Sequence, residues 1–402
     1  MFYFAMVYVV EGIGQISGII SQPLSYYLKE VYSFTPVQVT AFLTAFNLPW
    51  VIKPLYGLVS DFVPLFGYRR RSYLILANVL ATGSYLLAGR TEAPGQLVFI
   101  LLLTAYAMAI SSTLCGALLV ENGQRFGASG AFVNQQWLWF NIASMSASLI
   151  GGEFIQYLSP TGALHGAALI AAAAPIAVIL GTWFLVEEEK RPVNLPELKS
   201  ALRALVASFK TRELWVVGSF LFLYYFSPGF STPLYYHMTD TLHFSQAYIG
   251  MLGAISSAGS IAGALLYRWS LTGMTSKRLL QLSIILGTIS TVSFLLLFNE
   301  ASAAVLNFAG GVASMIALVA TLTLAADYCP KGSEGFAFAV LMSVTNLATS
   351  AADNAGSLLY EHAFQSRLEP LIIVSAAFTA FAWVLIPLLR LGDKPQGQPM
   401  HA

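Results

Sequence analysis

Four ionisable side chains stand inside stretches that are otherwise almost wholly apolar: Glu11, Lys53, Glu153 and Asp353. A charge in hydrocarbon is costly, so such residues gather where water or a partner meets them, and they mark ligand, proton or pairing sites. Gln15, Gly18 and Gln22 continue the Glu11 face at helical spacing, giving a carboxylate a polar margin on which to hold a proton or a ligand. Lys53 lies eight residues before Asp61, and Glu11 about nine residues into the first apolar stretch. At the helical rise both sit roughly 12–14 Å deep, so the lysine can balance the glutamate. A purely structural ion pair is the alternative. Asp353 belongs to a polar stripe with Asn346, Ser350 and Asn354, which suits a wet or polar neighbour, or plain helix–helix hydrogen bonding.

Two further faces add aromatic surface. Trp137, Asn141, Ser144 and Ser148 recur at helical spacing, and Tyr224, Tyr225, Phe226, Pro228, Gly229 and Phe230 form an aromatic break in a helix. Aromatic faces grip a flat heteroaromatic ligand by offset stacking, although they serve packing as readily. The candidate ligand contacts are therefore Glu11, Gln15, Lys53, Trp137, Asn141, Tyr225, Phe226, Asn346 and Asp353, with Glu11 and Asp353 as candidate proton carriers. Glu153, after Gly151 and Gly152, suits an interfacial or gating role as well as binding.

Other chemistry is missing. The five histidines are scattered, and no His-Glu-x-x-His, Gly-x-Ser-x-Gly or Cys/His metal spacing occurs, so enzyme, metal and cofactor readings fail. No Gly-x-x-x-x-Gly-Lys-Ser/Thr loop offers direct ATP drive. The two cysteines, Cys115 within an apolar stretch and Cys329 at the end of one, make no disulfide framework and read as packing residues. A net charge of +1 gives no basic surface for nucleic acid.

The elements that must position these residues follow from composition. The chain has 402 residues, 57% apolar and 10% charged, with a mean hydropathy of +0.69; soluble domains carry about 25% charged residues. Apolar stretches of about 20 residues, the length that crosses a bilayer as a helix, succeed one another near 2–28, 37–60, 72–89, 96–120, 131–157, 163–186, 213–237, 246–267, 279–298, 301–326, 335–359 and 369–390. The first carries a glutamate and lacks a basic start, so it reads as a span and not as an export signal. The expectation is an all-α integral membrane protein of twelve spans. With both termini cytoplasmic, only Lys29, Arg90 and Arg367 of the 20 lysines and arginines fall outside, and Lys53 within a span. The expected organisation is a six-helix bundle over 1–186, a linker over 187–212, a second bundle over 213–392 and a cytoplasmic tail over 393–402. In the linker, Leu198, Leu202, Leu205 and Phe209 outline an amphipathic helix that Asn194 and Glu197 would cap.

Gly57-Leu-Val-Ser-Asp61 followed by Gly67-Tyr-Arg69-Arg70-Arg71 resembles the signature of the major facilitator superfamily between its second and third spans. Asp61 and the arginines there suit a charge latch, with Gly57 allowing close helix approach. A weaker echo, Gly263 to Arg268 with Lys277-Arg278, recurs between spans eight and nine. Glu11-Gly-Ile-Gly-Gln15, Pro23 to Glu30, Pro49 to Asp61, Phe226 to Pro233, Cys329 to Glu334 and Leu341 to Leu347 together resemble the folate–biopterin transporter family of that superfamily. The resemblance implies a 6 + 6 pseudo-symmetric fold and secondary, alternating-access transport of a pterin such as folate or biopterin. Carboxylates along the path make a proton the expected coupling ion, with sodium the alternative; a monomer in the plasma (inner) membrane and a gate of Gly57, Asp61, Arg69, Arg70, Arg71 and Glu121 are expected as well. The chain departs from the family in its fourth span, where Ser112 and Gly116 stand in place of two aspartates ahead of Glu121. A permease for another solute, such as a cell-wall sugar-peptide or peptide, is the alternative, and a non-transporting sensor a further one.

Overall fold

The computed structural model describes residues 1–389 except 92, 127–128, 194–195, 197–198, 201–202, 204–211 and 329–333. The described residues are helical almost throughout, and the chain divides into two compact units. The first comprises Met1–Arg203 with Ser245–Ala254, the second Ala204–Phe244 with Ile255–Ala402. The linker helix expected through Leu198, Leu202, Leu205 and Phe209, the tail 393–402 and Cys329 all lie outside the described residues.

In the first unit the helices are α1 (Phe2–Gly14), α2 (Ser21–Tyr32), α3 (Pro36–Thr44), α4 (Leu48–Val51), α5 (Lys53–Phe62), α6 (Arg71–Ala88), α7 (Pro94–Arg125), α8 (Ser129–Tyr157) and α9 (Pro160–Leu185). In the second they are α10 (Arg212–Tyr225), α11 (Ser231–Tyr236), α12 (Gln246–Leu266, begun in the first unit), α13 (Ser276–Ser293), α14 (Glu300–Asp327), α15 (Glu334–Leu358) and α16 (Leu368–Leu385). Seven helical stretches among the described residues are long and apolar enough to cross a membrane: Pro36–Phe62, Pro94–Asn122, Pro160–Leu185, Gln246–Leu271, Ser276–Leu296, Glu300–Ala326 and Leu368–Leu389. Helix also occupies each of the other five expected intervals. Two of these are interrupted, at 15–20 and 226–230, and α8 and α15 carry the polar stripes that lower hydropathy.

Packing repeats between the units. In the first, α1 lies against α8 and α9, and α6 against α7 and α9. In the second, α10 lies against α15 and α16, and α13 against α14 and α16. Lipid tails are as apolar as leucine, so close van der Waals fit decides such pairings. Gly12 shows how close: a Cβ there would stand 2.7 Å from the Ala143 Cβ and 2.8 Å from the Phe140 carbonyl oxygen of α8.

Each interruption leaves backbone groups that lipid cannot satisfy, and neighbouring helices supply the partners. At the first, the Gly14 carbonyl accepts from the Tyr85 hydroxyl at 2.5 Å, and the Ile19 N–H donates back to Ile13 at 3.1 Å. At the second, the Gly229 N–H donates to the Ala352 carbonyl at 2.9 Å, while the Ser227 side-chain hydroxyl donates to the Ser375 carbonyl at 2.7 Å and ties the break to α16. Between α3 and α5 the helix tightens over 45–47 and turns at Ile52, with Pro49 in α4 and Pro54 in the first turn of α5, where a missing N–H is tolerated.

Gly12→Ala overpacks the α1–α8 contact and is expected to cost about 1–3 kcal/mol. Gly83→Ala, with nothing within 4 Å of the added carbon, is expected to leave stability unchanged or slightly raised by helix propensity. Thermal unfolding of the two purified variants in one detergent checks this, and equal melting temperatures would remove the packing argument.

Candidate functional site

The breaks in the helices are what expose chemistry inside the first unit. Glu11 sits one turn before α1 ends, and Lys53 is the first residue of α5, just past the turn at Ile52. A cation at a helix N-terminus is unfavourable to the backbone dipole, so Lys53 needs compensation. It receives two kinds. Its ammonium lies 4.1 Å from the centroid of the Trp50 ring, and it donates to the Ser112 hydroxyl of α7 at 3.2 Å. Ser112 in turn donates to Glu11 Oε1 at 2.8 Å.

The expected Glu11–Lys53 neighbourhood is therefore present, but the link runs through a hydroxyl and not through a direct contact. Gln15 closes the arrangement by donating from Nε2 to the same Glu11 oxygen at 2.8 Å. Glu11 is 8% exposed, and its other oxygen, Oε2, is buried without a hydrogen-bond partner. That oxygen is a free acceptor for a proton or a ligand N–H. One turn further along α7, a side chain at Gly116 would have nothing within 4 Å, so the helix presents open space there. In α8, Asn141 is buried and donates its amide to the Trp137 carbonyl at 2.8 Å, while Trp137 meets Phe140 edge-on.

A second cluster lies at the end of α5. Arg70 is the hub: Nη2 stands 2.6 Å from Asp61 Oδ1 and 3.1 Å from Glu121 Oε1, and Nη1 donates to Ser60 at 2.6 Å. Arg69 reaches Asp61 and Glu188 at 3.9 Å each. Glu188 accepts from the backbone N–H groups of Arg69, Arg70 and Arg71 at 2.9–3.2 Å, capping the start of α6. Sequence reasoning missed Glu188; its only signal was the acidic run Glu187 to Glu189, with nothing to tie it to arginines more than a hundred residues away. Two of the expected gate residues stand apart from this cluster. Arg71 sends its guanidinium to the Trp183 carbonyl, 2.9 Å away, and joins no carboxylate of the latch. Gly57 is no tight crossing point, since a Cβ there would meet only the Thr113 methyl at 3.9 Å.

In the second unit the break at 226–230 packs on α15. A Cβ on Gly229 would collide with Asp353, and one on Gly356 with the Gly229 backbone. Asp353 is half-buried and makes no side-chain hydrogen bond or ion pair among the described residues. Tyr225 shares a hydrogen bond of 2.8 Å with Thr321 of α14. Phe226 stacks on Phe222 and meets Phe378 of α16 edge-on, so its ring serves packing toward a partly exposed face. Asn346 stands on α15 two turns before Asp353, its carbonyl accepting from Ser350 at 2.9 Å. Glu153 is exposed. No group of three or more His, Cys, Asp or Glu among the described residues is placed to hold a metal ion.

Lys53→Met leaves the buried Glu11 carboxylate without its counter-charge, which is strongly destabilising, whereas removing both charges is not. The melting temperature is expected to fall more for Lys53→Met than for Glu11→Gln/Lys53→Met, and Ser112→Ala is expected to weaken the coupling between the two. A double-mutant cycle on stability checks this; simple additivity would show that the two charges do not interact.

The fold resembles that of major-facilitator transporters. The xylose transporter XylE from E. coli, in its inward open conformation, superposes with a TM-score of 0.73 over 99% of this chain and 97% of its own, at 11% identity. The nucleoside transporter NupG superposes with a TM-score of 0.68 over 97% of this chain and 98% of its own, at 15% identity. By sequence, the chain is 29% identical to the folate-biopterin transporter of Synechocystis sp. (strain ATCC 27184 / PCC 6803 / Kazusa), over 98% of this chain and 81% of the relative. It is 25% identical to folate transporter 1 of Plasmodium falciparum (isolate 3D7), over 83% and 68%. These relatives are transporters and not enzymes. Residues 12–391 match the BT1 family, and the chain belongs to that family.

Proposed function

We propose that this protein is a secondary transporter that carries a pterin-type solute, of the folate or biopterin class, across the membrane by alternating access with a coupled proton. The relatives supply the compound class. The observation that carries the coupling is the pair of unengaged carboxylate acceptors: Oε2 of Glu11 in the first unit and the unpaired Asp353 in the second. A pterin presents an amino group beside a ring N–H, and a carboxylate with both oxygens free accepts such a pair side by side. Asp353 meets that requirement, with Tyr225 near the same break as an aromatic neighbour. Glu11 has one free oxygen and a balanced lysine, which suits a proton: protonation removes the charge that Lys53 offsets through Ser112.

Twelve crossings with both termini cytoplasmic fit this reading, since the charge asymmetry of the loops orients such a chain and the helix pairings recur in the two units. The protein acts as a monomer in the plasma or inner membrane. Asp61, Arg69, Arg70 and Glu121 serve as a latch, because an ion-pair cluster at a helix end forms fully in one conformation and opens in another. Arg71 has no place in it.

Asp61→Asn removes one of the two negative charges that hold Arg70 and is expected to slow exchange between conformations while leaving equilibrium ligand binding nearly intact. Uptake kinetics beside ligand affinity in detergent separate the two. A tenfold loss of affinity with normal exchange would reassign Asp61 to the ligand.

Purified protein is expected to melt at higher temperature in folate or biopterin well above the dissociation constant, because ligand binds the folded state alone. Asp353→Asn is expected to abolish the shift. No shift with any pterin, beside a clear one with a cell-wall sugar-peptide, would transfer the assignment to that solute.

A further inference from the structure

The three consecutive arginines after Gly67 do not share one fate. Arg69 and Arg70 turn to Asp61, Glu121 and Glu188, while the Arg71 guanidinium turns to Trp183. There its guanidinium is held between two rings, 5.1 Å from the Trp183 centroid and 5.6 Å from that of Tyr68. It makes no ion pair among the described residues and uses one N–H on the Trp183 carbonyl. Lys190 approaches the same Tyr68 ring, at 5.7 Å, and is likewise without a carboxylate partner among the described residues. Two cations whose side chains make no ion pair among the described residues thus approach one aromatic ring.

Below them runs a groove of about 340 Å³ whose walls include Phe66, Ser72, Ile75, Leu76 and Trp183. Its rim is aromatic and outward-facing: Phe66 is 75% and Trp183 59% exposed. Phe66 reaches that position through a left-handed backbone, φ 55°, followed by Gly67 at φ 90°, so the turn is built to present the ring outward. Aromatic rings at the ends of spanning helices settle at headgroup level, here where α6 begins and α9 ends. An apolar channel below that level, with Arg71 in its lining and Lys190 against the Tyr68 ring that also lines it, has the polarity of a lipid with a negative head and an acyl tail.

We propose that this groove binds one anionic phospholipid, its phosphate on Arg71 and Lys190 and an acyl chain along Ile75 and Leu76 between Phe66 and Trp183. The bound lipid braces the loop whose other face carries the Asp61–Arg70–Glu121 cluster.

The full chain, purified in detergent, is titrated with phosphatidylglycerol or phosphatidylcholine and read by native mass spectrometry. The expected result is one phosphatidylglycerol retained at concentrations where phosphatidylcholine is lost. Its affinity is expected to fall at least about fivefold in Arg71→Gln and further in Arg71→Gln/Lys190→Gln, and to be unchanged in Arg90→Gln. Leu76→Trp, which fills the groove from its exposed side, is expected to weaken the lipid without altering the charge or the fold. Equal retention of both lipids, or undiminished phosphatidylglycerol binding in both Arg71→Gln and Leu76→Trp, would overturn the proposal. So would displacement of the lipid by inorganic phosphate at equal concentration, which would show that the cations read phosphate alone.

Discussion

A buried charge that cannot be hydrated must be balanced, and the first unit is arranged around that constraint. Glu11 and Lys53 come from different helices, and each stands where its helix is interrupted or turned. The Ser112 hydroxyl joins them by donating to one and accepting from the other, a task that no carboxylate or aliphatic side chain at that place performs in the same way. The balance is therefore reached through a hydroxyl and not through a direct ion pair.

The interruptions serve the same end. A continuous helix pairs its backbone groups with one another and presents only side chains to its surroundings. Where α1 ends at Gly14 and the chain resumes as a helix at Ser21, and again between Tyr225 and Ser231, backbone groups become available and are taken up by Tyr85 and Ala352, and the Ser227 hydroxyl adds a bond to the Ser375 carbonyl. Those partners come from different helices in each unit, so the broken segments are tied into their bundles. Asp353 is left beside the second break with its carboxylate unengaged. Charge without a partner is the feature that a transporter can turn to use, because a solute or a proton completes it.

At the loop after α5 the same need for balance divides neighbouring residues. Glu188 accepts three successive backbone N–H groups and so fixes the direction in which each arginine leaves the chain. Arg70 is held inward by two carboxylates, and Arg71 is sent outward to Trp183. Adjacent residues of one type thereby acquire unrelated surroundings, which sequence alone does not distinguish.

Much of this was readable from the residues in order. Apolar length, the rarity of charge and the positions of Glu11, Lys53 and Asp353 within apolar stretches point to a helical membrane protein with interior ionisable groups, because hydrocarbon admits only helices and closed barrels, a barrel strand would alternate apolar with polar residues, and few charges are tolerated there. The common depth of Glu11 and Lys53 also follows from helical rise. Tertiary structure alone decided what lies between them. Ser112, more than fifty residues from Lys53 and a hundred from Glu11, had only the standing of a replaced aspartate until α7 brought its hydroxyl to both. It likewise decided that Phe226 faces Phe378, that Gly12 and not Gly57 marks a tight crossing, and that Glu188 caps α6. Periodicity specifies which residues share a face; which neighbour that face meets depends on packing between helices distant in the chain, and local sequence carries no term for it.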